Sequence, residues 1–192
     1  LVDFLASCKQ HYWQILPLTT TSYGDSPYQS FSARAGNPNF IDFAELIEAG
    51  YLEQRDIDGV YLGSDPSNVD YGAIFGGRRQ ILDRAAERFA ADKPADFDDF
   101  IQANEDWLIP YCEFMTVKEE CGLKAFWEWP AELRTRGEAS AKVCADHPAR
   151  MLYHQMTQYF FDRQWNRLKA YANENGIQLV GDIPIYVSPD SS

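Results

Sequence analysis

The chain is short of positive charge, of histidine and of paired cysteine, and it has no long apolar run. Against 29 Asp and Glu it carries only 17 Lys and Arg, a formal net charge of −12 at pH 7. Partners gripped through phosphate, whether nucleic acid or an anionic membrane surface, need clustered basic side chains, so this balance argues against them. A neutral or cationic partner fits better. The four cysteines, Cys8, Cys112, Cys121 and Cys144, form no C-x-x-C pair, and their spacing suits neither a zinc site nor a dense disulfide framework. Reduced thiols are expected. No stretch approaches 18 uninterrupted apolar residues, and the first residues, LVDFLASCKQ, lack the basic segment and small-residue cleavage site of a secretion signal. These features predict a soluble, cytoplasmic protein.

The sequence also lacks a P-loop, a G-x-G-x-x-G and a G-x-S-x-G. The run Asp56-Ile-Asp58-Gly59 lacks the further ligands and the distal Glu of a calcium loop. His11, His147 and His154 are scattered without an obvious catalytic partner and read as structural or surface residues, and Asp98-Asp99 and Glu119-Glu120 read as solvated helix faces.

What is present is ample core material: of 192 residues 45% are hydrophobic and 15% aromatic, enough for one ordinary folded domain. Val2, Leu5 and Ala6 share a helical face within Val2 to Gln10, and HYWQILPL then reads as a buried strand ended by Pro17. The same order returns at the far end. Phe161, Trp165, Leu168 and Ala172 define a helix, Asn175-Gly176 ends it, and IQLVGDIPIYV follows as a strand. Both strand candidates are nearly continuous apolar runs, the pattern of a parallel sheet covered on both faces. Parallel α/β packing is therefore expected, with functional groups at the C-terminal ends of the strands.

Between these units the pattern is mainly helical. Asp42 and Glu45 give a capping-box start to a helix closed by Gly50, and residues from Glu53 to Asn68 read as a turn-rich connection. A long helix is expected from near Asp70 through Phe89 to the Lys93-Pro94 break, a short one from Asp96 to Asn104, and another from Pro110 to Cys121. The aromatic FWEWP leads into the poorly patterned ELRTRGEASAKVCADHP. No Gly/Ser/Pro-rich boundary marks a linker, so the expected organisation is residues 1–38 as helix, strand and loop, 39–150 as a helical insertion, and 151–192 as the next helix and strand.

The loop after the first strand carries Tyr23, Asp25, Ser26, Tyr28 and Gln29 within seven residues. Aromatic rings that cover the C–H faces of a sugar, beside carboxylates and amides for its hydroxyls, make a carbohydrate site. The alternative is an ordinary loop in which Gly24-Asp25 turns the chain, Asp25 or Ser26 caps it, and the tyrosines pack on the core. Asp182, at the end of the second strand beside Gly181, could accept two hydroxyl hydrogen bonds, or could cap a loop or pair with an interior Arg.

Taken together, WQILPL, YGDSPYQSFSARAGNP, VDYG, FWEWP, FFDRQW and GDIPIYVSPDS resemble the amylomaltase family, the 4-alpha-glucanotransferases or disproportionating enzymes of glycoside hydrolase family 77. The blocks follow the family's order along the whole chain. The resemblance implies a (β/α)8 TIM barrel with insertions, of which this chain would supply two strands, the second and third, with a largely helical insertion between them. It implies an enzyme that moves α-1,4-glucan segments from a donor to an acceptor sugar with retention, without metal or organic cofactor.

Carried over by position, the resemblance assigns Ser26, Tyr28 and Asp182 to the donor sugar, with Asp25 nearby. Tyr23 matches a residue of a second glucan-binding groove, where Phe75 stands in place of a tyrosine. The nucleophilic Asp and the acid/base Glu of the retaining mechanism are expected after Ser192, so the fragment alone is expected to be inactive. Hydrolysis on the same scaffold, a non-catalytic glycan-binding protein and a purely structural α/β domain are the alternatives.

Overall fold

The computed structural model describes residues 1–22, 24–183, 185 and 188–192. It is mostly helical, with one two-stranded parallel sheet. Helix α1 (Val2–Ser7) leads to β1 (Tyr12–Gln14), and a long loop then runs to α2 (Phe43–Glu48) and α3 (Gln54–Ile57). The helical part continues with α4 (Tyr71–Ala91), α5 (Phe97–Ala103), α6 (Glu105–Glu120) and α7 (Glu138–Asp146). The last pair is α8 (Pro148–Glu174) and β2 (Gln178–Val180).

Helix α8 is the spine. At 27 residues it is about 40 Å long. Its N-terminal half packs against α4, α5 and α6, whereas its last turns meet α1 and the strands. Pro148 begins it, where the missing N–H costs nothing. Gly176, with φ of 74°, ends it in the left-handed conformation, and the Ile177 N–H returns to the Ala172 carbonyl.

The main core lies between α2, α4, α5 and α8. Phe89 is fully buried and meets Phe97 edge-on at 4.9 Å and Phe160 at 5.7 Å. Offset and edge-on aromatic pairs of this kind add roughly 0.5–1.5 kcal/mol beyond area burial. A second core joins Leu108, Tyr111, Cys112 and Met115 of α6 to Ala35 at the end of the long loop. On α4, Gly77 lets the 60–62 segment lie directly on the helix, since a Cβ there would stand 2.7 Å from the Tyr61 carbonyl oxygen.

β1 and β2 pair in register Tyr12 with Gln178, Trp13 with Leu179 and Gln14 with Val180. Only the middle residue of each strand is partly covered, packing with Val2, Ala172 and Ile177. Of the cover expected on both faces of the strands, this chain supplies one side. One face is covered by α1 and α8, and among the described residues nothing covers the other.

Several local expectations also change. Pro110 lies inside α6, which begins five residues earlier than expected. The polar stretch before His147 contains α7, and α8 starts at Pro148, just ahead of the expected 151–192 unit. Asp42 does cap α2, accepting from the Ala44 N–H, but Glu45 pairs with Arg167, so no reciprocal capping box forms. Asp42's own N–H goes instead to Gln164 Oε1 at 2.7 Å.

The largest correction concerns Glu119. Its side chain is 11% exposed and lies among Arg79, Arg150 and His154 at 2.9, 2.6 and 3.1 Å. Burial alone would raise its pKa, but the close contacts and positive charge of His154 and Arg150 outweigh this and hold the carboxyl at about 2. His154 is buried beside it, and desolvation lowers its pKa. Its Nε2 has no well-aligned hydrogen-bond partner among the described residues. Asp56 likewise serves structure, accepting at 2.5 Å from Arg88, whose hydrogen bond is the main reason its carboxyl pKa is lowered.

No described cysteine forms a disulfide. Among the described residues, no helix is long and apolar enough to cross a membrane, and no cluster of His, Cys, Asp and Glu is arranged to hold a metal ion.

Candidate sugar-binding cleft

The loop after β1 leaves and returns through a narrow neck. An isolated antiparallel bridge joins Thr19 to Gly36, and backbone bonds run from Thr20 N–H to Ala35 and from Asn37 N–H to Leu18. The neck is held from α8. Gln158, 2% exposed, accepts the Gly36 N–H at 2.7 Å and donates to the Gly36 carbonyl at 3.0 Å. Gln164 grips the backbone of Asp42 in the same two-way manner. Both glutamines thus satisfy loop groups that a sheet would otherwise have to pair.

Gly36 is required by packing. The Phe161 ring fills the space where a side chain would begin, and a Cβ there would fall 2.1 Å from its nearest ring carbon. Inside the neck, Thr20 Oγ1 and Ser30 Oγ lie 3.0 Å apart, and Ser30 Oγ donates to the Ser32 carbonyl at 2.6 Å. Ser32 Oγ in turn accepts the N–H groups of Arg34 and Ala35. These short polar side chains give the loop its own internal hydrogen bonds.

At the tip the Ser22 N–H donates to Gln29, Asp25 N–H to Ser22 and Gln29 N–H to Ser26. Ser26 Oγ accepts the Tyr28 N–H at 3.3 Å. This arrangement turns the Tyr28 side chain toward the end of the second strand, where its hydroxyl donates to Asp182 Oδ2 at 2.7 Å. That hydrogen bond raises the Tyr28 pKa.

An open cleft of about 720 Å³ adjoins this pair, lined by Ser26, Tyr28 and Gln29 on one side and by Asp182, Ile183, Ile185, Ser188 and Pro189 on the other. A phenol, an amide, a hydroxyl and a carboxylate beside two exposed isoleucines make a mixed surface. The polar groups can pair with hydroxyls, and the phenol ring and the aliphatic side chains can cover C–H faces.

Three of the sequence candidates, Ser26, Tyr28 and Asp182, therefore come together. Asp25 does not join them; it is exposed, has φ of 54° and is absent from the cleft lining. Phe75 stands 55% exposed on α4. Tyr23, the proposed partner of Phe75, lies outside the described residues, as does the end of the expected second strand at 186–187.

The rest of the far wall, Ile183, Ile185, Ser188 and Pro189, was missed, and so was its anchor. Lys118 is 1% exposed, and its Nζ donates to Asp190 Oδ2 at 2.6 Å and to the Lys124 carbonyl at 2.8 Å. The signal was available in the spacing. Leu108, Tyr111, Cys112 and Met115 mark the buried stripe of α6, and the next positions on that stripe are 118 and 119.

The family model for 4-alpha-glucanotransferase matches residues 1–192. A 4-alpha-glucanotransferase of Streptococcus pneumoniae is 52% identical over all of this chain and 38% of its own length. That of Clostridium butyricum is 40% identical over 99% of the chain and 39% of its length. A solved structure, amylomaltase from Streptococcus agalactiae in complex with acarbose, superposes with a TM-score of 0.93 at 47% identity, over 99% of this chain and 39% of that one. The chain thus spans about two fifths of the relatives it matches. Motifs, fold and comparisons agree that the chain belongs to the 4-alpha-glucanotransferase family, glycoside hydrolase family 77.

Proposed function

We propose that this chain is the donor-binding part of a 4-alpha-glucanotransferase, contributing two adjacent strands of a (β/α)8 barrel and the helical insertion between them. The cleft at Tyr28 and Asp182 holds a sugar ring of an α-1,4-glucan. The observation that carries this reading is the 2.7 Å hydrogen bond from the Tyr28 hydroxyl to Asp182, which joins two loop segments 154 residues apart at the C-terminal side of neighbouring parallel strands.

Asp182 accepts the phenol proton on one oxygen and keeps its remaining lone pairs for sugar hydroxyls. Tyr28 fixes which way that carboxylate faces. Ser26 and Gln29 add a hydroxyl and an amide to the same cleft. A neutral glucan suits a chain of net charge −12, which would repel polyanions. Retaining transfer needs a nucleophilic and a proton-donating carboxyl about 5 Å apart across the bond. In this reading those two groups come from residues after Ser192, and the described residues bind and orient.

The test is to incubate the complete enzyme with maltotriose and separate the products. Glucane redistribution, glucose together with oligosaccharides longer than the substrate, is the expected result. Only shorter sugars with a rise in reducing ends would make it a hydrolase, and an unchanged maltotriose pool would overturn the reading.

A further inference from the structure

We infer that Lys118 is a positioning residue for this cleft: it pins the wall that follows the second strand to the Tyr28 loop and so sets the width of the donor site. The inference rests on the proposed sugar-binding role of that cleft. It starts from where Lys118 sits, at the C-terminal end of α6, belonging to neither wall and touching both.

On one side its ammonium pairs with Asp190 at 2.6 Å. The other oxygen of Asp190 accepts the Phe126 N–H at 3.1 Å, so this carboxylate is held from two directions. Asp190 lies immediately after Ser188 and Pro189, which line the cleft. Its N–H donates to Ser188 Oγ, and Ser191 Oγ donates to the Ser188 carbonyl, which makes 188–191 a tight, internally bonded turn. Holding Asp190 therefore holds Ser188 and Pro189 at the cleft.

On the other side the same ammonium lies 4.9 Å from the centre of the Phe31 ring. Phe31 follows Tyr28 by three residues in the loop, and its carbonyl accepts both the N–H and the hydroxyl of Ser192, at 2.8 and 3.1 Å. The two walls are thus tied twice, by Tyr28 to Asp182 at one end and by Phe31 to Ser192 at the other. Lys118 sits beside the second tie.

A lysine this deeply buried is costly to desolvate, and the cost is offset here by Asp190 and the Lys124 carbonyl, which fix the ammonium in place. Replacing it frees the turn at 188–191 while leaving every sugar-contacting side chain chemically unchanged. Misplacement of a binding wall by about 1 Å can cost up to roughly 100-fold in rate.

The experiment compares the complete enzyme with Lys118→Met, Asp190→Asn and Glu119→Gln, measuring maltotriose affinity by calorimetry, transfer kinetics and thermal unfolding. Because Lys118→Met leaves Asp190 without its counter-charge, Asp190→Asn serves as the second variant, keeping the side-chain shape and an acceptor for the Phe126 N–H. Glu119→Gln is the control, a neighbouring buried charge turned away from the cleft.

The expected result is a roughly 10- to 100-fold loss of kcat/KM for maltotriose with weakened binding in both clamp variants, and near-normal kinetics in the control below its own unfolding temperature. Normal sugar affinity and kcat/KM in a folded clamp variant would overturn the inference. An equal loss in the control would overturn it too, by making the effect one of general stability. If the unmodified enzyme neither binds nor redistributes maltotriose, it is the sugar-binding reading itself that fails.

Discussion

Lys118 and Glu119 are neighbours on one helix, and both are charges taken largely out of water. Lys118 faces the loop side and, among the described residues, meets one carboxylate, Asp190, beside the Phe31 and Phe114 rings. Glu119 faces the helical bundle and meets Arg79, Arg150 and His154, with Arg150 further paired to Asp83 at 2.5 Å. These charges flank an aromatic-rich core, with Arg150 stacked over its Tyr153 ring at 4.1 Å. Among the described residues, the cleft lining is polar or exposed and has no such core. One region is therefore built to be stable and the other to be held in place by it, and changes on the two sides should separate stability from sugar binding.

The largest effect is expected in the bundle, as a function of pH. The Glu119 carboxyl titrates at about 2 in the fold against an ordinary value of 4.5. A lowered folded pKa stabilises the fold above the unfolded value and loses that contribution as the group protonates. The contribution is therefore complete above about pH 5 and is lost between about 4.5 and 2, worth on the order of 3 kcal/mol. Urea unfolding from pH 6 to 2 should show this slope, and Glu119→Gln should flatten part of it. An unchanged slope in the variant would mean that the network does not hold the carboxylate as described.

A smaller effect is expected at the junction of the two regions. In Gly36→Ala the new methyl must displace the Phe161 ring from a site where no space exists, and overpacking of this kind costs about 1–3 kcal/mol. Because Gln158 holds the same residue through both its N–H and its carbonyl, the loop neck should shift with it. Stability and donor affinity should fall together here, unlike in the bundle. Thermal unfolding beside maltotriose titration checks this, and a variant that loses stability while keeping full affinity would detach the neck from the cleft.

The fold was legible where periodicity was strong and local. The helices near 43–48, 71–91 and 97–103, and the helix end at Asn175-Gly176, follow from apolar spacing, caps and a glycine that can take positive φ. The start of α6 was hidden by Pro110, which reads as a first-turn proline but lies in the second turn. Helix α7 was hidden because it is short and its sequence, EASAKVCAD, carries few large apolar side chains. In the site, Ser26, Tyr28 and Asp182 could be named because their residue types and motifs carry the chemistry. The burial of Lys118 was legible in the spacing of α6, but its role and those of Asp190, Gln158 and Gly36 were not, since each acts through a partner far along the chain.

The smallest effect on stability, and the sharpest test of what the cleft does, is expected from Tyr28→Phe. Tyr28 is 43% exposed, and its hydroxyl makes one surface hydrogen bond. Water can replace that bond in the free protein, so unfolding should change by less than about 0.5 kcal/mol. With a sugar bound the position differs, because water is displaced and the Asp182 carboxylate loses the donor that fixed its orientation. Transfer from maltotriose should then fall about tenfold in kcat/KM, or about 1.4 kcal/mol of transition-state binding. Asp182→Asn should be costly alone and add little on top of Tyr28→Phe if the two act as one unit. Fully additive losses would mean that the two side chains meet the sugar independently. A melting temperature that drops by several degrees with unchanged kinetics would instead move Tyr28 from the cleft to the scaffold, and with it the line drawn between the two regions.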